Sequence, residues 1–277
     1  MHSLKRYLYR IECYTILRNP NEIKGGIQQM KNKKMKIALI IIGVLVFSLG
    51  TAFMWYVSSP YEPEEKAIEA LATTNKVDVI EKDQYFVFKP TDNLSEVGLI
   101  FYQGGKVEEE AYAPLMQRIA EKGIEVYLVK MPFDLAVFDS QAAGEVIEEN
   151  KAIKNWYIVG HSLGGVMASS FAEENFSLLN GIVFLASYPS ANLSQTPIKS
   201  LSIYGSMDNV LNAEAYEEGL NKFPTETKEL IIEGGNHAQF GNYGLQSGDG
   251  KAEVSIDSQQ QQTADAIEKF IVQTVFE

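Results

Sequence analysis

Residues 156–169 constrain the fold more than any other part of this 277-residue chain. An apolar run ends at Gly160, and the small and apolar residues from Gly164 onward suit a buried helix. Ser162 lies between these glycines in a Gly-x-Ser-x-Gly pattern, and residues without side chains let backbone and substrate approach a serine closely. The stretch predicts a strand, a sharp turn and a helix, with Ser162 as a candidate nucleophile. Because so short a pattern also arises by chance, its context has to support the interpretation.

Charge is distributed unevenly along the chain, whose formal net charge is −12. Residues 1–57 hold 9 of the 24 basic side chains and 2 of the 36 acidic ones, which leaves 15 basic and 34 acidic side chains, or −19, for the remainder. A globular part this acidic is not expected to bind nucleic acid or anionic headgroups. The only cysteine, Cys13, lies before it, which excludes a disulfide, a thiolate metal site and a cysteine nucleophile there.

Residues 37–57 carry no charged side chain, and as a helix they would span about 31 Å, close to the hydrocarbon thickness of a bilayer. Four lysines precede this run and three glutamates follow it, at Lys31, Lys33, Lys34 and Lys36 and at Glu62, Glu64 and Glu65. The positive-inside rule then places the N-terminus in the cytoplasm and the C-terminal part outside. A cleaved signal peptide is the main alternative, although the run is longer than the apolar region of most signal peptides. A buried core helix fits the flanking charges less well.

These features divide the chain into four predicted segments. They are a cytoplasmic leader (1–36), a transmembrane anchor (37–57), a linker with a first helix (58–76) and a globular domain (77–277). Residues 24–26 can be encoded as a purine-rich tract at a distance from Met30 that is typical of a bacterial ribosome-binding site. We therefore consider a start at Met30, with residues 1–29 untranslated, and a bacterial source.

Apolar strands alternate with helices through the globular domain, which predicts a mostly parallel sheet with helices on both faces. About eight strands are expected, at 77–80, 84–88, 97–102, 124–129, 156–160, 182–186, 201–204 and 229–232. Helices are expected at 64–73, 109–122, 141–150, 164–174, 212–222 and 263–275. Ligands of such α/β folds bind at the carboxyl ends of the strands. Residues 187–199 are too short for a cap of several helices, so we expect an open cleft, and residues 259–262 are expected in a solvated loop.

A nucleophilic serine needs a base, and the chain contains three histidines. His2 lies on the cytoplasmic side of the predicted anchor. His161 adjoins Ser162, and because neighbouring side chains at a tight turn diverge, a structural role suits it better. His237 remains, in a glycine-rich loop just after the last strand, from which it can return to the edge of the sheet. We predict His237 as the general base.

An acidic partner for His237 is expected near the same edge. Asp208 follows the seventh strand, where a buried carboxylate could hold the imidazole in the required tautomer. Asp139 and Glu233 are weaker candidates. The order Ser162, Asp208, His237 along the chain is more specific than any one of the three motifs.

Four segments carry a resemblance to a known family: 101–107, 160–165, 204–208 and 234–240. With them, the chain from about residue 97 to residue 270 resembles the α/β-hydrolase superfamily, and most closely its small, capless, dienelactone-hydrolase-like branch. The resemblance implies Ser162 as nucleophile, Asp208 as acid and His237 as base. In the family, a His-Gly pair is frequent in the first of these segments. This chain departs from it, because Gln103 precedes Gly104.

The expected chemistry is attack of Ser162 on an ester or related acyl carbonyl. The backbone amides of Leu163 and of Gly105, or alternatively Lys106, would bind the oxyanion. No metal and no organic cofactor are expected. The substrate would be a small-molecule or lipid-like acyl compound. The protein would contact the membrane through its N-terminal helix. The alternative is a catalytically inactive binding protein with a hydrolase fold at the cell surface.

Overall fold

The structure is a computed structural model that describes residues 20–91 and 96–276. It divides into two units at Ser58 and Ser59. Helix α1 (Pro20–Val57) forms the described part of the first unit, and within it Asn32–Val57 is long and apolar enough to cross a membrane. None of the residues of that span is buried, so the helix differs from the core helix of a soluble domain. Residues 1–19 of the predicted leader lie outside the described residues, so the leader stays a prediction.

The second unit is built on one sheet of eight strands in the order β1-β2-β4-β3-β5-β6-β7-β8. Strand β2 is antiparallel to both of its neighbours, and all the other pairs are parallel. The predicted mostly parallel α/β sheet is therefore confirmed, and its first two strands form an antiparallel hairpin. The strands are β1 (Val77–Glu81), β2 (Tyr85–Pro90), β3 (Val97–Tyr102), β4 (Glu125–Val129), β5 (Asn155–His161), β6 (Gly181–Leu185), β7 (Lys199–Gly205) and β8 (Thr227–Ile232).

Helices cover both faces of the sheet, and the core has two halves. The first half lies against helices α3 and α7 and includes Leu115 and Ile267, whereas the second lies against α4 and α5 and includes Val146 and Phe171. No helix is found between β6 and β7 in the described part of the chain, as expected from the short segment there. The helices of this unit are α2 (Glu65–Glu69), α3 (Ala113–Ala120), α4 (Ala142–Glu149), α5 (Leu163–Asn175), α6 (Ala213–Gly219) and α7 (Ile256–Phe276).

Two predicted helices start or end differently in the structure. The helix expected at 109–122 begins as a 3₁₀ turn (Glu109–Tyr112), and α3 starts only at Ala113, where Pro114 occupies the first turn. Proline lacks an amide donor and is suited to that position, so it marks the true start of the α-helix. Helix α2 stops at Glu69, although its pattern continues to residue 73.

The prediction of a solvated loop at residues 259–262 is wrong. Helix α7 begins at Ile256 and includes all four glutamines. Gln259 and Gln260 are buried, because their amide groups hydrogen bond to the loop that follows β8. Gln259 and Gln260 are therefore part of the packing around that loop, whereas Gln261 and Gln262 are exposed.

The register of the sheet brings the ends of distant strands to one edge. Tyr102 of β3 pairs with Gly160 of β5, and Gly205 of β7 pairs with Ile232 of β8. The segments that follow these four residues leave the sheet on the same side, because the strands are parallel. These segments contain the predicted site residues Gly105, Ser162, Asp208 and His237.

Candidate active site

Ser162 occupies a strained turn between β5 and α5. Its backbone has φ 51° and ψ −122°, a conformation that residues with a side chain rarely adopt. A Cβ added at Gly160 would collide with the amide nitrogen of Gly165, and one added at Gly164 would collide with the carbonyl oxygen of Tyr102. The turn thus requires glycine at both flanking positions, which is the physical basis of the pattern seen in the sequence.

His237 and Asp208 form a buried pair. His237 Nδ1 lies 2.9 Å from Asp208 Oδ2, and only 1% of each side chain is exposed. The other carboxylate oxygen, Oδ1, accepts hydrogen bonds from the amides of Val210 at 2.9 Å and Leu211 at 2.8 Å. Because Asp208 is held at both oxygens, it orients the imidazole with a proton on Nδ1 and leaves Nε2 as the acceptor.

The Nε2 atom of His237 is buried and has no hydrogen-bond partner among the described residues. Buried polar atoms are nearly always paired in native structures, and Nε2 of the neighbouring His161 is likewise buried without a hydrogen-bond partner among the described residues. The His237 ring lies against His161, the residue before Ser162, with ring centroids 4.6 Å apart. Across residues 20–91 and 96–276, no hydrogen bond joins Nε2 to Ser162 Oγ, a contact that often tightens only when substrate binds.

His161 is held by a different set of contacts. The Tyr112 hydroxyl accepts a hydrogen bond from the Gly104 amide at 2.9 Å and forms a second hydrogen bond, 2.8 Å long, with His161 Nδ1. Burial, and secondly the nearby His237, lowers the pKa of His161 well below its ordinary value. A neutral imidazole that is fixed in this way suits the structural role expected for His161, since it connects the loop after β3 with the ring of His237.

The backbone amides of the two predicted oxyanion donors, Leu163 and Gly105, lie close together. Leu163 is the first residue of α5, so its amide has no partner within the helix. A Cβ added at Gly105 would lie 3.0 Å from Leu163 Cδ2, which puts the two residues side by side. No described residue accepts a hydrogen bond from the Gly105 amide. The amide of the alternative donor, Lys106, donates instead to the Asp134 carbonyl at 2.8 Å.

Gln103 braces the loop that carries Gly105. The Gln103 side chain is fully buried, and its Nε2 donates to the carbonyl of Val107 at 2.9 Å and to Asp134 Oδ1 at 3.2 Å. A histidine is frequent at this position in the family that the chain resembles, and here an amide side chain ties the loop after β3 to the loop after β4. A backbone oxyanion donor therefore needs no imidazole at residue 103.

The two weaker acidic candidates do not reach the imidazole. Neither Asp139 nor Glu233 forms a hydrogen bond with His237 within the described chain, whereas Asp208 does. The described residues also contain no group of three or more His, Cys, Asp or Glu side chains that could hold a metal ion.

Sequence reasoning missed the residues that hold the loop around His237. Asp249 accepts hydrogen bonds from the His237 amide at 3.2 Å and the Ala238 amide at 2.9 Å. The Gln259 side chain binds both backbone groups of Asn236, accepting from its amide at 3.0 Å and donating to its carbonyl at 2.7 Å. A helical period extended back from residues 263, 264 and 267 would have placed Gln259 on the buried side of α7, but no local signal marks Asp249.

Carboxyl groups lie close to the loop after β3. Burial, with a smaller contribution from Glu110, raises the pKa of Glu109 to about 7. Burial also raises the pKa of Asp134, and Glu110 is again the next cause. These carboxyl groups give this part of the molecule a negative potential once they ionise.

Comparison with known proteins gives one family and a set of similar folds. A family model described as alpha/beta hydrolase family matches residues 98–263, more than half of the chain. One similar solved structure is a predicted CIB-like hydrolase from Thermoplasma acidophilum, 18% identical, covering 70% of this chain and 98% of that chain with a TM-score of 0.51. Est1E from Butyrivibrio proteoclasticus is 13% identical and covers 73% and 100% of the two chains with a TM-score of 0.54.

A novel esterase from Mycobacterium tuberculosis is also similar, at 13% identity and a TM-score of 0.52, with 75% of this chain and 95% of that chain covered. At such low identities the likeness to solved structures demonstrates the fold alone. No curated protein sequence matches the chain.

Proposed function

Because the chain belongs to the alpha/beta hydrolase family, we propose that it is a serine hydrolase that cleaves ester or related acyl bonds with Ser162, His237 and Asp208. The observation that carries this proposal is the His237–Asp208 pair, whose free Nε2 is buried beside the turn that presents Ser162. The similar folds that are named as esterases support hydrolase activity in general.

In the proposed reaction, Ser162 Oγ attacks the acyl carbonyl carbon while His237 Nε2 accepts the hydroxyl proton. Asp208 holds the Nδ1 proton and stabilises the imidazolium. The amides of Gly105 and Leu163 bind the oxyanion, and the loss of one such donor typically raises the barrier by about 3 kcal/mol. His237 then gives its proton to the leaving group. The acyl-enzyme is released by a water molecule that His237 activates in the same way.

We further propose that helix α1 is an uncleaved anchor with its N-terminus in the cytoplasm, so that the hydrolase domain is extracytoplasmic. The support is the exposed apolar span Asn32–Val57, the lysines before it and the glutamates after it. The test is a C-terminally tagged full chain in intact bacterial cells. We expect the protein to stay in the membrane fraction after an alkaline wash, and we expect a protease added outside the cells to remove the tag. A shortened soluble product would indicate a cleaved signal sequence.

The assignment of Ser162 is tested by covalent labelling with a small fluorophosphonate and by hydrolysis of p-nitrophenyl acetate. We expect Ser162→Ala to abolish both. Ser177→Ala is the matched control, because Ser177 is an exposed serine in the 3₁₀ turn (Phe176–Leu178) that follows the far end of α5. Unchanged turnover in Ser162→Ala, or a wild-type protein that binds esters without being labelled, would contradict the proposal and favour a binding protein.

A further inference from the structure

The loop between β4 and α4 exposes large apolar side chains. About half of the surface of Phe133, Val137 and Phe138 is accessible to solvent, at 51%, 54% and 50%. The two phenylalanine rings pack edge to face with centroids 5.6 Å apart, so they form one surface. We call residues 132–138 the apolar lip. Adjacent exposed apolar side chains of this size usually mark a binding surface.

The backbone of the apolar lip is strained and fixed. Phe133 and Asp134 are consecutive residues with φ 57° and 54°, in the left-handed region that disfavours residues with a Cβ. Asp134 is held there by hydrogen bonds from the amide of Lys106 and from the side chain of Gln103. Strain of this kind persists where the surrounding structure imposes it, and it concentrates at functional sites.

The apolar lip lies directly beside the proposed oxyanion donors. A Cβ added at Gly105 would be 3.6 Å from Leu135 Cδ2 on one side and 3.0 Å from Leu163 Cδ2 on the other. The 3₁₀ turn of the lip (Ala136–Phe138) also packs against α5, the helix that starts at Leu163. A carbonyl group bound by the two amides therefore has the apolar lip as an immediate neighbour.

The lip and the base approach the site from opposite faces of the sheet. Ala238 and Phe240, which follow His237, belong to the first half of the core. Ala136 of the apolar lip, and Met131 just before the lip, belong to the second half. The leaving group must face His237, because it receives its proton from Nε2. The acyl substituent extends from the other side of the carbonyl, which is the side of the apolar lip.

We propose that the apolar lip binds the acyl chain of the substrate, and that the site selects esters with an uncharged, apolar acyl chain of several carbons. This inference rests on the function proposed above and adds a substrate class to it. The carboxylate of Asp134 within the lip, with Glu110 close to it, would repel an acyl chain that ends in a second carboxylate. An apolar acid is thereby favoured over a dicarboxylic half-ester of the same length.

The test is the ratio of kcat/KM for p-nitrophenyl octanoate to that for p-nitrophenyl acetate, with the full chain in mild detergent and both esters below their critical micelle concentration. We expect the wild-type protein to prefer octanoate and to discriminate against the p-nitrophenyl half-ester of suberate. Phe133→Ser and Phe138→Ser should each lower the octanoate-to-acetate ratio by about tenfold, which corresponds to about 1.4 kcal/mol. Phe176→Ser, which changes a phenylalanine that is 40% exposed beyond the far end of α5, should leave the ratio unchanged.

A wild-type ratio near one, or lip variants that keep the wild-type ratio, would overturn the acyl-chain site. Labelling of Ser162 by a fluorophosphonate separates these results from failure of the proposed function. If labelling and acetate hydrolysis persist while the ratio does not respond, the hydrolase stands and the acyl-chain site alone is wrong.

Discussion

His237 Nδ1 lies 2.9 Å from Asp208 Oδ2, and the two side chains are almost completely buried together. The carboxylate is fixed in turn by the amides of Val210 and Leu211. The imidazole can therefore present only Nε2 towards the turn that carries Ser162. This relationship makes the orientation of the His237 imidazole depend on Asp208.

We expect Asp208→Asn to lower kcat for p-nitrophenyl acetate by about 10⁴-fold, because an amide no longer enforces the tautomer with a proton on Nδ1. Asp139→Asn is the control, since Asp139 is an exposed aspartate of the loop after β4. It should keep nearly full activity. Steady-state kinetics near neutral pH measure both variants, and a greater loss in Asp139→Asn would reverse the assignment of the acid.

The pairing of His237 with Asp208 could be predicted because the sequence offered few alternatives, whereas their catalytic roles stay a prediction. Only three histidines exist, and the position of each relative to the strands left His237. Asp208 follows from the parallel sheet, since the segments after β7 and β8 must leave at the same edge. The family model confirms the superfamily, whereas the dienelactone-hydrolase-like branch stays a prediction.

Other parts of the site depend on contacts that have no local signature. The Lys106 amide donates to the carbonyl of Asp134, and Lys106 has φ 62°, a positive φ that cannot be predicted from residue type. Gln259 looked solvated because glutamine is polar, yet the backbone groups of Asn236 satisfy its amide in the interior. Both contacts join segments that are far apart along the chain, where sequence patterns give no signal.

Gln259 gives a prediction about positioning. Gln259→Ala removes both hydrogen bonds to the backbone of Asn236, so the His237 loop should lose its fixed position and kcat should fall by roughly 10- to 100-fold with little change in KM. Gln262→Ala is a closely matched control, because Gln262 lies in the same run but is exposed, and within the described chain its side chain hydrogen bonds to Ser258 alone. The rate of fluorophosphonate labelling should follow kcat in both variants.

A purely structural role would give a different result for Gln259. In that case the variant would lower the melting temperature without lowering the labelling rate of the fraction that remains folded. Measuring both quantities on the same preparation separates the two explanations.

Glu109 gives a prediction about pH and stability. Burial raises its pKa from 4.5 to about 7 in the folded protein, so folding favours the protonated form. The stability that this provides is complete below about pH 4.5 and is lost as the pH rises through about 7. Glu109→Gln removes the titration and should therefore stabilise the protein, relative to wild type, more at about pH 8 than at about pH 5.

The expected size is modest, because Glu109 is partly exposed and solvent screens its charge. A stabilisation of about 1 kcal/mol would raise the melting temperature by about 2–4 °C. Scanning calorimetry at the two pH values measures it. Glu218→Gln, at an exposed glutamate of α6, should shift the melting temperature equally at both values. An equal shift for Glu109→Gln as well would contradict a raised pKa.

Two glycines provide opposite predictions from the same substitution. A Cβ at Gly160 collides with the backbone of Gly165, which neither a rotamer change nor a flexible neighbour can relieve, so Gly160→Ala should displace α5 from the sheet. We expect a destabilisation of about 3 kcal/mol or more and loss of labelling at Ser162.

At Gly144, inside α4, the nearest atom to an added Cβ is Phe171 Cε2 at 3.7 Å, an ordinary contact. Gly144→Ala should therefore stabilise the protein by about 0.5–1 kcal/mol, since alanine favours a helix interior. Urea unfolding of both variants measures the difference, and a Gly160→Ala protein with wild-type stability and labelling would show that the turn at Ser162 is less constrained than its backbone indicates.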